Sequence, residues 1–336
     1  MSMGPFSVPN DESAARGTGK LSTSELPQPV NSDVQNSFHV LVTGADGFVG
    51  RHLIPRLVSR GHRVRALVRR PPKEPGGSLP GVEWRIADLT DRSSLEGVAS
   101  GCDRVAHLAG RFESSDGARI GRLHGTGTRN LAWEVLKSGV DRIVLMSALG
   151  ASPDGGEFFR SKFEAEDIVM SCSTEHVVLR PSVVYGPGDH FTEPVARILR
   201  TFPVFPMMGD GTFELQPLAV EDMVDILVQG IERSDLAGRS LDLAGPERLS
   251  FVRIVRILGQ TIGRARPILP LPGAFAAPAA RIAAALGFPS PFSPAELDIL
   301  RYGSVLPTEE NPVRSVFRLK SLPFADAVTD YLESGQ

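Results

Sequence analysis

Cysteine is nearly absent from this chain of 336 residues. Cys102 and Cys172 are its only two, too few for a disulfide framework, and no C-x-x-C pair is present. Reduced thiols and a cytoplasmic protein are therefore expected. No run of 18 apolar residues occurs, which excludes a conventional helical membrane span; peripheral contact with a membrane or a protein complex stays open. Charge of one sign is also lacking: the net charge is -3 and no basic stripe interleaved with aromatics is found, so no nucleic-acid partner is expected. No metal-ligand set is expected either. Residues 1–37 are rich in Ser, Pro, Gly and Asn and read as a disordered leader. They lack an apolar h-region, which excludes a secretory signal.

What is present is a globular composition, with 41% hydrophobic residues, and a regular alternation of strand and helix patterns. "FHVLVTGADGFVG" places a short β-branched run before Gly44, Gly47 and Gly50, and "RHLIPRLVSRGH" follows with helical spacing. "RVRALV" is a second strand. The segments "VEWRIAD", "CDRVAHLAG", "DRIVLMSA" and "HVVLRPSVV" read as further strands. "DRSSLEGVAS", "GRLHGTGTRNLAWEVLKSG" and "FFRSKFEAEDIVMSC" read as the helices between them. This pattern predicts an α/β protein: a Rossmann-type doubly wound parallel sheet over residues 38–186, with a smaller C-terminal substrate or partner lobe over 187–336, some of whose segments return to the core. The lobe is marked by proline and glycine clusters in "YGPGDHFTEP", "FPVFPMMGDGT" and "LPLPGAFAAPAA".

The glycine loop sits between a strand and a helix, where it suits a pyrophosphate. Gly44 permits a tight turn, Gly47 lets the backbone approach an anion, and Gly50 lets the helix pack on the strand. The second strand ends at Val68 with Arg69 and Arg70, and no carboxylate stands where an NAD ribose would be read. The two arginines suit a 2′-phosphate, so NADP(H) is expected in preference to NAD(H). The other reading is a solvated strand end.

With "TGADGFVG", "RIADLTD", "AHLAG", "FFRSK" and "LRPSVVYGPGD", the chain resembles the extended and atypical short-chain dehydrogenase/reductases, a group that includes NAD-dependent epimerases and dehydratases. "SALGAS", "FRSKFEAE" and "QPLAVEDM" look most like the branch holding the NADPH-binding accessory subunit of respiratory complex I and its bacterial relatives. The resemblance implies that Gly44, Asp46, Gly47, Phe48, Val49 and Gly50 form the cofactor loop, with Arg69 and Arg70 beyond it. Asp88 and Leu89 would lie along the adenine. Leu108, Ala109 and Gly110 would pass under the cofactor, Lys162 would bond the nicotinamide ribose, and Pro181, Val183 and Val184 would hold the nicotinamide end. Asp88 has a second reading as a helix cap, and His107 reads better as a satisfied core histidine.

The same resemblance exposes a departure. Active members pair a tyrosine with the lysine four residues later on one helix face. The ammonium lowers the phenol's pKa so that it exchanges a proton as hydride moves. Here that position is Phe158. Past the fifth strand, Ser147 ends "MS" and Leu149 stands near where a second hydroxyl is expected. His124 replaces a frequent asparagine at a helix bend. Tyr185 lies near the site but follows a different strand, and Tyr302 and Tyr331 fall in the tail. Lys162 and Ser147 are the residues left to carry catalysis. Two expectations follow: a dinucleotide-binding protein with a structural, sensing or complex-assembly role, or an NADP-dependent reductase or sugar-nucleotide epimerase/dehydratase with a rearranged acid. Gly273–Phe288, with a single Arg281, reads as a buried helix of the small lobe or an interfacial segment.

Overall fold

β1 (His39–Thr43) is buried at every position because it has apolar side chains for both faces of a sheet. Val40 and Val42 enter one core and Leu41 the other. This two-sided burial is the signature of a central parallel strand. The computed structural model describes residues 37–71, 80–110, 120–271 and 304–332. The expected leader (apart from Ser37), the Gly273–Phe288 segment and Tyr302 lie outside the described residues.

β1 is followed by α1 (Phe48–Ser59), β2 (Arg63–Val68), β3 (Val82–Ile86) and β4 (Arg104–His107). A wide-turned helical segment at Arg122–Gly127 runs into α2 (Thr128–Ser138). Then come β5 (Arg142–Met146), α3 (Glu157–Met170), β6 (Glu175–Pro181) and β7 (Val184–Tyr185). The later elements are α4 (Thr192–Thr201), β8 (Phe205–Met208), β9 (Glu214–Leu215), β10 (Leu218–Ala219), α5 (Val220–Glu232), β11 (Arg239–Leu243), β12 (Leu249–Ser250), α6 (Phe251–Thr261), β13 (Ile268–Leu271), α7 (Pro312–Ser315) and α8 (Phe324–Leu332).

Seven strands form one sheet in the order β11-β6-β5-β4-β1-β2-β3, and every neighbouring pair is parallel. α1 and α5 cover one face; α2 and α3 cover the other. This is the doubly wound Rossmann arrangement. Residues 220–243 belong to it, since α5 packs on α1 and β11 pairs with β6. Arg60 at the end of α1 grips Glu232 of α5 through two bonds of 2.7 Å, and His62 adds a third at 2.9 Å.

α4, β8, α6 and α8 share a separate apolar cluster built on Tyr185, Phe205, Phe251 and Phe324, whereas Leu218 of β10 and Val313 of α7 join the core beneath α1 and α5. "DRSSLEGVAS" departs from expectation. Only Arg92–Leu95 is helical, as a single tight turn capped by the Asp91 carboxylate. Gly97 and Gly101 then adopt left-handed φ of 73° and 70°, which stops propagation. No helix among the described residues is long and apolar enough to cross a membrane.

Candidate functional site

The strand order reverses between β1 and β4, whose neighbours run away in opposite directions. Their carboxyl ends, with those of β5 and β6, open on a cleft of about 590 Å³. A crevice at such a switch point is where open α/β sheets bind ligands. The glycine loop forms its floor. Gly44 holds a left-handed φ of 69°, and a Cβ there would stand 2.9 Å from the Ala109 nitrogen. A Cβ on Gly50 would press into the carbonyl oxygens of Gly44 and Ala45, so α1 can start this close to β1 only without a side chain. Gly47 caps α1 with no side chain of its own, which leaves the first-turn N–H groups and the positive end of the helix dipole facing an anion. This cradle fits a dinucleotide pyrophosphate. When bound, such a cofactor supplies or accepts hydride.

Sixteen of the expected residues line the cleft: Gly44, Asp46, Gly47, Phe48, Val49 and Gly50 of the loop, then Arg69, Leu89, Leu108, Ala109 and Gly110, and finally Ser147, Lys162, Pro181, Val183 and Val184. Two stand apart. Arg70 is exposed and absent from the lining. Asp88 is spent on its own turn, accepting from the Thr90 N–H at 2.9 Å and hydroxyl at 2.8 Å. Tyr185, considered as a surrogate acid, packs against Phe324 at 4.8 Å in the C-terminal core, where burial raises its pKa.

Lys162 is 7% exposed and donates to the Met146 carbonyl at 3.0 Å. Burial pushes its pKa down to about 8, and Glu166 one turn later partly opposes that. Phe158, one turn before it, is 2% exposed and meets Phe159 and His124 edge-on, at 5.4 and 6.0 Å. Both Phe158 and Phe159 line the cleft. On this side the cleft therefore has an aromatic wall.

Two polar networks behind this wall were not legible in the sequence. Ser147 donates its hydroxyl proton to Glu166, a carboxylate with no exposure that also accepts from Arg180 Nε at 2.9 Å and Nη2 at 2.6 Å. With its proton committed, the Ser147 hydroxyl has only acceptor capacity left. In the second network, Ser161 donates to the Phe158 carbonyl at 2.7 Å, so its oxygen accepts from His124 Nδ1 at 2.7 Å. That fixes the tautomer. His124 Nε2 carries a lone pair with no partner among the described residues, and a Cβ on Gly110 would sit 3.1 Å from it and 3.2 Å from Lys162 Nζ. The wide-turned segment that carries His124 is the kind of helical irregularity found at functional sites.

His107 lies just outside the lining. Its Nδ1 bonds Thr43 Oγ1 at 2.7 Å and its Nε2 bonds Thr128 Oγ1 at 3.0 Å. Burial pushes its pKa down to about 3, with Lys162 adding to the effect; His124 is lowered well below its usual range for the same reasons. The unfolded chain protonates an imidazole below its own pKa of about 6.5, while the folded His107 refuses its proton until about 3. The unfolded state therefore binds more protons in that window, and stability falls as pH drops. The loss should reach roughly 2 kcal/mol from His107 alone at about pH 5. Urea unfolding at neutral pH and at about pH 5 checks this, and His107→Asn should flatten the dependence. Among the described residues no group of three His, Cys, Asp or Glu side chains is placed to hold a metal ion.

The profile of the NAD dependent epimerase/dehydratase family matches residues 40–244. Among curated proteins, the chain is 31% identical over 234 residues to "Ceramide reductase" of Caulobacter vibrioides, covering 69% of this chain and 73% of that one. It is 26% identical over 225 residues to the mitochondrial "NADH dehydrogenase [ubiquinone] 1 alpha subcomplex subunit 9" of Arabidopsis thaliana, covering 65% and 56%. The complex I branch suggested by the sequence motifs is thus among its relatives. In fold it matches UDP-glucose 4-epimerase of Thermotoga maritima, with a TM-score of 0.69 at 17% identity over 89% of this chain and 99% of that one. It also matches Bordetella bronchiseptica WbmG in complex with NAD and UDP, with a TM-score of 0.67 at 18% identity over 88% and 93%. The glycine cradle, the parallel sheet with its switch-point cleft and the profile spanning residues 40–244 agree, and the chain belongs to the NAD dependent epimerase/dehydratase family.

Proposed function

We propose that this protein holds NADP(H), in preference to NAD(H), along the glycine loop and Arg69, with the reactive end of the cofactor beside Lys162, and that it does not run the tyrosine-dependent chemistry of its family. Phe158 carries this reading: a buried phenyl ring occupies the helix turn before Lys162, on the cleft wall, where a titrating phenol would be needed. A phenyl ring can neither give nor take a proton. The lysine, whose ammonium also binds, is kept. Such a protein uses the nucleotide for stability, sensing or assembly of a larger redox complex, the last suggested by its mitochondrial subunit relatives.

The test is thermal unfolding with each nucleotide separately. NADPH should raise Tm through preferential binding to the native state, and NADH should do so less. Arg69→Glu should weaken NADPH by about tenfold or more and leave NADH nearly unchanged. Absence of any shift with either nucleotide would overturn the reading.

A second reading has support of its own. Lys162, with its pKa near 8, holds a proton at neutral pH within the cleft. In a reductase, the carbonyl carbon would gain hydride and its oxygen would take that proton, leaving a neutral amine to be recharged from water. The relative named as a reductase of ceramide favours this version. A sugar-nucleotide epimerase or dehydratase has the family profile and fold neighbours at 17 and 18% identity on its side.

A further inference from the structure

The cleft changes character along its length. Its loop end carries backbone N–H groups, Asp46 and Arg69. Beyond Lys162 the wall is made by Leu149, Phe159, Val183, Phe191, Val195 and Ile198, drawn from four separate segments: the turn after β5, α3, the stretch after β6, and α4 with its approach. Their convergence is a property of the fold, not of one apolar run. The polar groups there are few and mostly occupied. Ser182 donates to Ser304, at 2.7 Å to its carbonyl and 2.9 Å to its hydroxyl. His190 stands exposed. Among the described residues lining the cleft, Arg69 and Lys162 are the only cations, and neither belongs to this far wall.

A nucleoside diphosphate needs charge-assisted donors for its phosphates and hydrogen-bonding partners for its sugars. Among the described residues this wall supplies neither. It does supply apolar surface beside one ammonium group, the arrangement in which a hydrophobic body is buried and a single polar group fixes orientation.

We propose that the far end of the cleft takes a ligand with a hydrocarbon body and a single oxygen function set beside Lys162, and that nucleoside-diphosphate sugars are not its ligands. The proposal rests on the reading that the dinucleotide occupies the glycine-loop end. It concerns binding, and holds whether or not the ligand is turned over.

The experiment uses the full chain, with and without saturating NADPH, and three probes: a long-chain alkyl methyl ketone, the mono-ketone steroid 5α-androstan-3-one and UDP-glucose. Thermal shift and equilibrium dialysis are read for each. The ketone or the steroid should bind and raise Tm, and whichever does so distinguishes an extended chain from a fused-ring body; UDP-glucose should do neither. Ile198→Lys, a charge placed on the half-buried face of α4, should weaken the hydrophobic probe by at least about tenfold, as burial of an unpaired ammonium requires. Its NADPH shift should be unchanged, which also reports that the variant is folded; Phe191→Ser serves as a second wall variant with the same expectation. Binding of UDP-glucose without either hydrophobic probe would overturn the proposal, as would failure of all three, or hydrophobic binding that both wall variants leave intact. Because the probes are also read without NADPH, a missing NADPH shift overturns the dinucleotide reading separately, while NADPH binding with no hydrophobic binding overturns this inference alone.

Discussion

Glu166→Ala should lower folding stability by about 3 kcal/mol or somewhat more, the cost of breaking a buried charged pair by removing one partner. Glu166 has no exposure and is satisfied from two directions, by the Ser147 hydroxyl at the end of β5 and by the Arg180 guanidinium on β6. It is thus the joint between α3 and two strands directly beneath the site. Arg180 keeps some solvent, with 26% of its side chain exposed, and lies 3.6 Å from Asp242, which holds the cost toward the lower end of the range for buried pairs. Glu166→Gln retains the volume and an acceptor oxygen, so it should lose about half as much. Urea denaturation with an unchanged m-value is the measurement. A loss below about 1 kcal/mol for the alanine variant would show that water replaces the carboxylate cheaply, and that the network is not what fixes α3 against the sheet.

This joint also marks the boundary of what was legible in the sequence. The sheet could be read because its evidence is local: β-branched runs such as "HVLV", and glycines three residues apart between a strand and a helix. The glycine loop at the cleft floor was readable for the same reason, and so was the placing of Phe158 one turn before Lys162, since helical spacing relates the two without a structure. Glu166, Arg180 and Ser147 carry no such pattern. They lie 14 and 19 residues apart on three elements, and within α3 Glu166 looks like any helix-surface carboxylate. His124 and Ser161 are 37 residues apart; the unusual residue at a helix bend was visible, but not its orphaned lone pair. Asp88 had two readings in the sequence, and its bonds to Thr90, two residues on, match the local one without testing the other. The two-residue strands β7, β9, β10 and β12 are too short to show a period at all. They are held by tertiary packing, through Leu218 on the sheet-side core and through Tyr185, Leu215 and Leu249 on the C-terminal aromatic cluster.

Phe158→Tyr should raise NADPH-dependent reduction of the ketone or steroid that binds the cleft by about 100-fold or more, the usual scale of a positioned general acid. The new phenol would lie one helical turn before Lys162, on the same face, and both positions line the cleft. A lysine that is charged at neutral pH would stabilise the phenolate and lower the phenol's pKa toward the working range. The neighbours make the expected gain larger. Ser147 directs its hydroxyl hydrogen to Glu166 and Leu149 has none to offer, so the parent can offer a reacting oxygen little beyond Lys162 itself. A double variant, Phe158→Tyr with Lys162→Ala, should lose most of the gain, because the phenol would return to its ordinary pKa. Equal NADPH affinity in parent and Phe158→Tyr would place the effect on chemistry rather than on binding. The opposite result is equally definite: if the parent already turns over briskly and Phe158→Tyr is no faster, the proton comes from Lys162, and the aromatic wall belongs to an active reductase that has dispensed with the phenol.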